Sequence, residues 1–178
     1  ESLRQPLEEG RVRLSRAGRV ANFPARVQLV GAMNPCPCGY LGHRRRACRC
    51  TPLTVARYRQ RLSGPLLDRF DLALDLDPPD AEQLLERRPG EASATVARRV
   101  AAAQPLWAIS QGTAPPEAVR RRLAQAVDLL SLSGRAMHRC LSVAASIAAL
   151  DQRDVLTHND LDEALALRLA LLSFHEPG

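Results

Sequence analysis

Four cysteines stand in two C-x-C pairs, and closely spaced thiol pairs are typical ligands of a structural metal ion. Side chains two positions apart share a face of an extended chain, so both sulfurs of one pair can reach the same ion. Pro35 and Pro37 restrict the backbone here, which lowers the entropy lost on binding. The spacing therefore predicts a tetrahedral zinc site that would stiffen the loop, with the ligands Cys36, Cys38, Cys48 and Cys50.

The four cysteines also have interpretations other than a zinc site. Their spacing is not the common C-x2-C knuckle, so unliganded reduced thiols and redox-active thiols are alternatives. Disulfide bonds are disfavoured, because the protein is expected in the reducing cytoplasm. His43 is an alternative ligand within the same loop, although four cysteines already complete a zinc site. Cys140 lies in an apolar helical stripe and is expected in the core.

Arginines dominate the charge of the first part of the chain. The sequence has no lysine, so all 25 basic residues are arginines and no P-loop lysine can exist here. Residues 1–71 carry 14 of them against only 5 acidic residues. This asymmetry predicts that the first part faces a polyanion, either nucleic acid or nucleotide phosphates, with a solvated basic face as the alternative. In the cysteine loop, the arginines expected to contact phosphates are Arg44, Arg45 and Arg46.

Two polar residues in this part have both a structural and a functional interpretation. Asn34 follows the apolar run QLVGAM, at a strand end where open α/β sheets place ligand contacts, but an Asn before Pro35 also favours a turn. Arg69 lies among apolar residues. It is either an intramolecular ion-pair partner, with Asp68 and Asp71 as candidates, or a charge meant for a neighbouring molecule.

A third arginine occupies an unusual position. Arg135 follows Ser133 and Gly134 at a predicted helix start, where the helix dipole favours anions over cations. An arginine beside free backbone N–H groups makes an anion site, so this position indicates a bound phosphate nearby. A simple exposed side chain is the alternative.

The elements that position these residues begin with a helix and a hairpin. Residues 1–9 predict the end of a helix that Gly10 terminates. Its start has no cap, which indicates a piece of a longer protein. Alternation over 12–23 then predicts a two-stranded hairpin, closed by Phe23-Pro24, whose tip carries Arg16 and Arg19.

Buried strands and a capped helix are predicted next. The apolar run at 27–33 predicts a buried parallel strand, and alternation at 71–77 predicts a strand with its leucines on one face. Thr51 followed by proline predicts an N-cap and a helix that runs through Arg61. Pro78-Pro79 is the expected boundary of a second domain.

The rest of the chain predicts a small helical bundle. A capping signal at Thr157 and Asp160 precedes leucines that recur at helical spacing. The predicted helices are 80–86, 93–110, 115–132, 134–150 and 157–173.

Composition excludes other classes of protein. The length of 178 residues and 46% hydrophobic content suffice for a sizeable core. A signal peptide pattern and a long apolar run are both absent from the sequence, so neither secretion nor a membrane span is predicted and the cytoplasm is the expected location.

Several motifs together resemble one family. The segments QLVGAMNP with CPCG, CRCTP, RYRQRLSGPLLDRFDL and SGRAMHRCLSVAASIAALD are similar to the Mg-chelatase-like AAA+ ATPases of the competence protein ComM (YifB) type, over nearly the whole chain. The resemblance implies an α/β plus all-α fold. Residues 1–78 would be the C-terminal part of an AAA+ nucleotide-binding core and residues 79–178 a helical lid domain. The family's Walker A and Walker B segments are not matched, in agreement with the absent lysine.

The resemblance also implies roles for single residues. Asn34 matches the family's sensor 1, Arg69 its arginine finger and Arg135 its sensor 2. The hairpin at 12–23 resembles the pre-sensor-1 insertion, which in related hexameric motors points into the central channel toward DNA.

The implied function is that of a homohexameric motor that uses ATP and Mg²⁺ to act on DNA. A branch-migration helicase in natural transformation and recombination is expected, with no ATPase activity in this chain alone. One alternative is a magnesium chelatase motor subunit that inserts Mg²⁺ into a porphyrin, which has little need of a polyanion-binding surface. A non-enzymatic, zinc-braced DNA-binding module is the other.

Overall fold

The structure, a computed structural model, describes residues 3–77, 79, 85–86 and 89–172. Its contacts divide into two compact units, one up to Phe70 and one made of Asp71–Leu171. The domain boundary predicted at Pro78-Pro79 stays a prediction, since Pro78 lies outside the described residues. None of the described helices is long and apolar enough to cross a membrane.

The first unit begins with a short helix, α1, at Arg4–Glu9. Gly10 ends it in the left-handed conformation, with φ of 62°, and its N–H donates to the carbonyl of Pro6. Glycine adopts this conformation at no steric cost, so the predicted helix end is confirmed.

An antiparallel hairpin follows and is the only sheet in the described part of the chain. Its strands are β1 at Arg11–Arg16 and β2 at Arg19–Pro24. Ala17 and Gly18 form the turn with φ of 50° and 75°, the positive pair found in type I′ turns. The register places Arg16 opposite Arg19 at the tip, as the sequence predicts.

The two further predicted strands are wrong. Neither 27–33 nor 71–77 pairs in a ladder with any described segment. Val30 is 83% exposed and Leu76 is 87% exposed, whereas both predicted strands would bury these side chains against a core. A strand needs a neighbour to satisfy its backbone, and the hairpin strands already pair with each other. The fold is therefore mostly helical with a small two-stranded sheet, which is compatible with only part of the predicted class.

Two short helices complete the first unit. Helix α2, at Pro52–Arg59, is capped by the Thr51 hydroxyl, which accepts from the N–H of Thr54 at 3.2 Å. The predicted helix is confirmed, although it ends before Arg61. Helix α3, at Gly64–Leu67, is a single short turn that was not predicted from the sequence, and its proline is tolerated because it lies in a first helical turn.

The second unit contains four longer helices, close to the predicted ranges. They are α4 at Ser93–Gly112, α5 at Glu117–Leu130, α6 at Gly134–Leu150 and α7 at His158–Leu172. The helix predicted at 80–86 lies mostly outside the described residues. One contiguous apolar core joins α5, α6 and α7, and Cys140 belongs to it with 1% exposure, as predicted. Its largest fully buried apolar members include Val119 and Leu161.

The capping signal before α7 forms a reciprocal pair of contacts. The Asp160 carboxylate accepts from the backbone N–H of Thr157 at 2.7 Å, and the Asp160 N–H donates to the Thr157 hydroxyl. Arg153 donates to both carboxylate oxygens of Asp160, at 2.6 and 2.8 Å. This fork and the cap lower the pKa of Asp160 to about 2.

Candidate functional site

The cysteine loop, residues 35–50, is folded by tight turns between irregular stretches. Gly39 has φ of 79° and donates its N–H to the carbonyl of Cys36 at 3.0 Å. The chain therefore reverses between the two thiol pairs. Only a residue without a side chain adopts this conformation readily, which explains a glycine at this turn.

The turn gathers all four predicted ligands. Their sulfur atoms lie within 4.8 Å of one another, in the set Cys36, Cys38, Cys48 and Cys50. The Sγ atoms of Cys36 and Cys38 are 3.4 Å apart, and the Sγ of Cys48 lies 3.6 Å from each. All four thiols are free of disulfide bonds. A tetrahedral zinc ion with bonds of about 2.3 Å separates its sulfurs by about 3.8 Å, so the donor set and its spacing fit such an ion.

The thiols differ in acidity without a cation among them. Backbone N–H groups of Arg49 and Tyr40 lower the pKa of Cys38 to about 6. The N–H of Cys50 pulls the pKa of Cys48 down, but burial and the neighbouring thiols raise it to about 12. Four thiolates this close repel one another, and a bound cation offsets that repulsion.

His43 and Tyr40 order the basic part of this loop, a role that the sequence did not reveal. The His43 Nδ1 atom accepts the backbone N–H groups of Arg45 and Arg46 at 3.0 and 3.1 Å, and His43 is not part of the thiol group. The Arg46 guanidinium donates to the Tyr40 hydroxyl at 2.6 Å and lies 4.1 Å from the ring centroid. Arg44, Arg45 and Arg46 are all exposed.

Asn34 lies at the entrance of the cysteine loop. Its side chain is exposed and lies against the loop turn, since a Cβ at Gly39 would be 3.9 Å from the Asn34 Cγ. A Cβ at Gly31 would be 3.9 Å from the ring of Phe70. The segment that leads to Asn34 therefore passes beside the residue that follows Arg69.

Arg69 is buried and paired within its own unit. Its residue is 8% exposed, and its guanidinium donates to the Glu8 carboxylate and to the Pro65 carbonyl. The expectation of Asp71 as partner is corrected, since Asp71 instead accepts from Arg139. Glu8 is 61 residues away in sequence, so no local spacing indicated it.

Arg135 lies in the first turn of α6 and is exposed. The Ser133 hydroxyl caps this helix by accepting from the Ala136 N–H at 3.1 Å. The helix start predicted from the sequence is confirmed, and the role of Arg135 as a phosphate contact stays a prediction.

Comparison with known proteins shows the family. The family model "Magnesium chelatase, subunit ChlI" matches residues 1–84, and the model of the ChlI C-terminal region matches residues 90–168. The YifB protein of Escherichia coli is 41% identical over 94% of this chain, and the competence protein ComM of Haemophilus influenzae is 38% identical over 94%. The chain belongs to the Mg-chelatase-like family of the YifB and ComM type.

These relatives are longer than the chain. The matched region makes up 36% of YifB and 36% of ComM. A protein of Mycobacterium tuberculosis is 37% identical over 100% of this chain, which again makes up 37% of its length. Asn34, the four clustered cysteines and Arg69 lie in the region matched by the first family model, and Arg135 lies in the region matched by the second.

Proposed function

We propose that this chain is the sensing part of an ATP-hydrolysing AAA+ motor that acts on DNA. The full-length protein would be a homohexameric branch-migration helicase that works in natural transformation and recombination, with ATP and Mg²⁺ as cofactors. Family membership and the similarity to a competence protein support this proposal. Because the chain has no lysine, the phosphate-binding lysine of such an ATPase has to lie outside it.

The pair of arginines at the hairpin tip is the observation that supports DNA as the partner. Arg16 and Arg19 lie directly opposite each other, and both are exposed. Like charges in direct cross-strand positions are destabilising unless an anion lies between them. A DNA phosphate supplies that anion, and Arg44, Arg45 and Arg46 of the cysteine loop would add further contacts.

Asn34, Arg69 and Arg135 would serve the nucleotide. Asn34 would orient the water that attacks the γ-phosphate in its own subunit, while Arg69 would stabilise the charge on that phosphate in the adjacent subunit. Arg135 would contact nucleotide from the lid. Since Arg69 is paired with Glu8 in the structure, its action in trans requires that it exchange Glu8 for the phosphate.

The four clustered cysteines would hold a structural zinc ion. Their sulfurs converge from both ends of the cysteine loop, which has little apolar core of its own. The ion would brace Asn34 and the basic run without taking part in hydrolysis.

Substitution of Arg69 in the full-length protein tests the ATPase assignment. We expect Arg69→Ala to lower DNA-stimulated ATP hydrolysis by about 10³-fold or more, as arginine-finger losses do, with nucleotide binding nearly unchanged. Arg135→Ala should instead weaken nucleotide binding. The matched control is Arg139→Ala, which removes another paired arginine. Normal turnover in Arg69→Ala would overturn the role of Arg69.

A magnesium chelatase motor subunit is the second candidate, favoured by the name of the matching family models. The basic first part of the chain fits that function poorly, because a chelatase motor has little need of a polyanion-binding surface. Salt-dependent binding of forked or four-way DNA by the full-length protein, lost on Arg16→Ala with Arg19→Ala, would favour the DNA motor. Absence of DNA binding at low salt, with porphyrin-dependent ATPase activity, would favour the chelatase.

A further inference from the structure

An open cavity of about 420 Å³ lies between the cysteine loop and helix α2. None of the residues assigned above to metal, nucleotide or DNA lines it. Its volume falls in the usual range of small-ligand sites. Its lining residues are Pro37, Thr54, Arg57, Tyr58 and Arg61.

Thr54, Arg57 and Tyr58 lie on one face of α2, and Arg61 lies in the turn that directly follows the helix. Counted from Thr54, Arg57 and Tyr58 follow at the third and fourth positions, which is the spacing of one helical stripe. Such a stripe is usually apolar and turned to a core. Here this wall of the cavity carries two arginines and an aromatic ring, and Pro37 faces it from the loop.

The charge of the cavity is unbalanced. Arg57 in α2 and Arg61 in the turn after it place two like charges on the wall of the same cavity. No acidic residue lines the cavity, and no described carboxylate pairs with either arginine. The Arg61 guanidinium instead lies 6.0 Å from the ring centroid of Tyr58. This arrangement favours an anionic ligand.

The apolar surfaces of the cavity suit a planar ring. Tyr58 is half-buried, which holds its side chain in place, while Pro37 presents a rigid ring from the loop. Aromatic rings stack on any nucleobase, and neighbouring arginines hold the attached phosphate.

Both walls of the cavity adjoin the cysteine cluster in sequence. Pro37 lies between Cys36 and Cys38 in sequence, and Thr51, the N-cap of α2, follows Cys50 directly. A zinc ion on the four cysteines would therefore hold both walls of the cavity in place before a ligand binds.

We propose that this cavity binds one phosphorylated nucleoside, with the phosphate on Arg57 and Arg61 and the base against Tyr58. The source would be one unit of single-stranded DNA, and this choice rests on the proposed function of the protein. A free nucleotide has the same chemistry, so the test includes both sources.

Binding of a fluorescein-labelled oligothymidylate to the chain, followed by anisotropy, tests the proposal. Tyr58→Ala should weaken binding by about 5- to 150-fold, the loss expected for one stacked base, and Tyr58→Phe should restore it. A plot of the logarithm of the binding constant against the logarithm of the salt concentration has a negative slope. Arg57→Gln and Arg61→Gln should each reduce the magnitude of that slope by about 0.7. As a control, Arg98→Gln removes an arginine on α4 that donates to the Thr95 hydroxyl, and should leave the affinity for oligothymidylate unchanged.

The outcomes separate this inference from the proposed function. One outcome is that the Arg16 and Arg19 variants lose oligothymidylate binding while Tyr58→Ala and Arg57→Gln bind as the wild type does. This outcome overturns the proposal of a nucleotide site in the cavity but leaves the proposal of a DNA motor intact. A second outcome is that the chain binds ATP or thymidine monophosphate, loses this binding in the same cavity variants, and does not bind oligothymidylate. This outcome supports a free nucleotide as the ligand of the cavity and contradicts single-stranded DNA as the ligand. If Tyr58→Ala fails to fold by circular dichroism, the Gln variants decide.

Discussion

The two compact units of this chain are stabilised by different interactions. The unit within Asp71–Leu171 has a contiguous apolar core, in which Ala144 and Leu161 are completely buried. The unit up to Phe70 buries few apolar side chains, and its interior includes a thiol group and the charged Arg69.

This difference indicates how each unit depends on its surroundings. An apolar core lowers the free energy of folding without any ligand. The first unit instead has few buried apolar side chains and concentrates positive charge. Ligand binding should therefore increase the free energy of unfolding of the first unit, because a ligand of the native state stabilises that state.

Removal of metal should give the largest effect and should be confined to the first unit. We expect the chain to carry one zinc ion, and expect Cys36→Ser to lose it and to unfold the cysteine loop, since structural zinc contributes about 10 kcal/mol or more to such small sites. Metal analysis with local hydrogen exchange measures both results. Cys140→Ser, which removes a thiol from the other unit's core, should retain the zinc. Full exchange protection of the loop in zinc-free protein would contradict the comparison.

Breaking the ion pair of Arg69 should give a smaller effect in the same unit. Glu8→Gln leaves a buried guanidinium without its counter-charge, and we expect a loss of about 2 to 3 kcal/mol in the free energy of unfolding, reduced because the Glu8 side chain is 35% exposed. Urea denaturation measures this loss. The neighbouring Glu9→Gln is the matched control, since its pair with Arg11 is exposed and should change stability little. If the two substitutions lowered the free energy of unfolding equally, burial of Arg69 would not be the reason for the loss in Glu8→Gln.

The smallest expected effect is a loss of stability of the second unit at acidic pH. The pKa of Asp160 is lowered from 3.8 to about 2, so its contribution is complete above about pH 4 and is lost as the pH falls toward 2. The expected loss is about 2 kcal/mol, from the size of the shift. Asp160→Asn should lack this loss and should be less stable than the wild type at neutral pH. Asp162→Asn, whose pair with Arg122 is partly exposed, should keep the wild-type acid profile in urea denaturation between pH 5 and 2.

Local rules predicted much of the fold. Gly10, Thr51, Ser133 and Asp160 were recognised as helix ends or caps because each acts on backbone groups within a few residues. The approach of the four thiols was also predictable, since the spacing of C-x-C pairs is itself local.

Contacts distant in sequence were not predictable in this way. The partner of Arg69 is Glu8, and its identity depends on how α1 packs. The strands expected at 27–33 and 71–77 did not form, because apolar alternation describes what a strand would bury but cannot supply the neighbouring strand. The contact of Arg46 with Tyr40 also arises only once the cysteine loop has folded.

The turn of the hairpin has a consequence for motion. Ala17 adopts a left-handed conformation, with φ of 50°, that costs a residue with a Cβ about 1 kcal/mol. A two-stranded hairpin is marginal even without this cost. The basic tip should therefore open and close often, and should exchange its amide protons much faster than α6 until a ligand immobilises it.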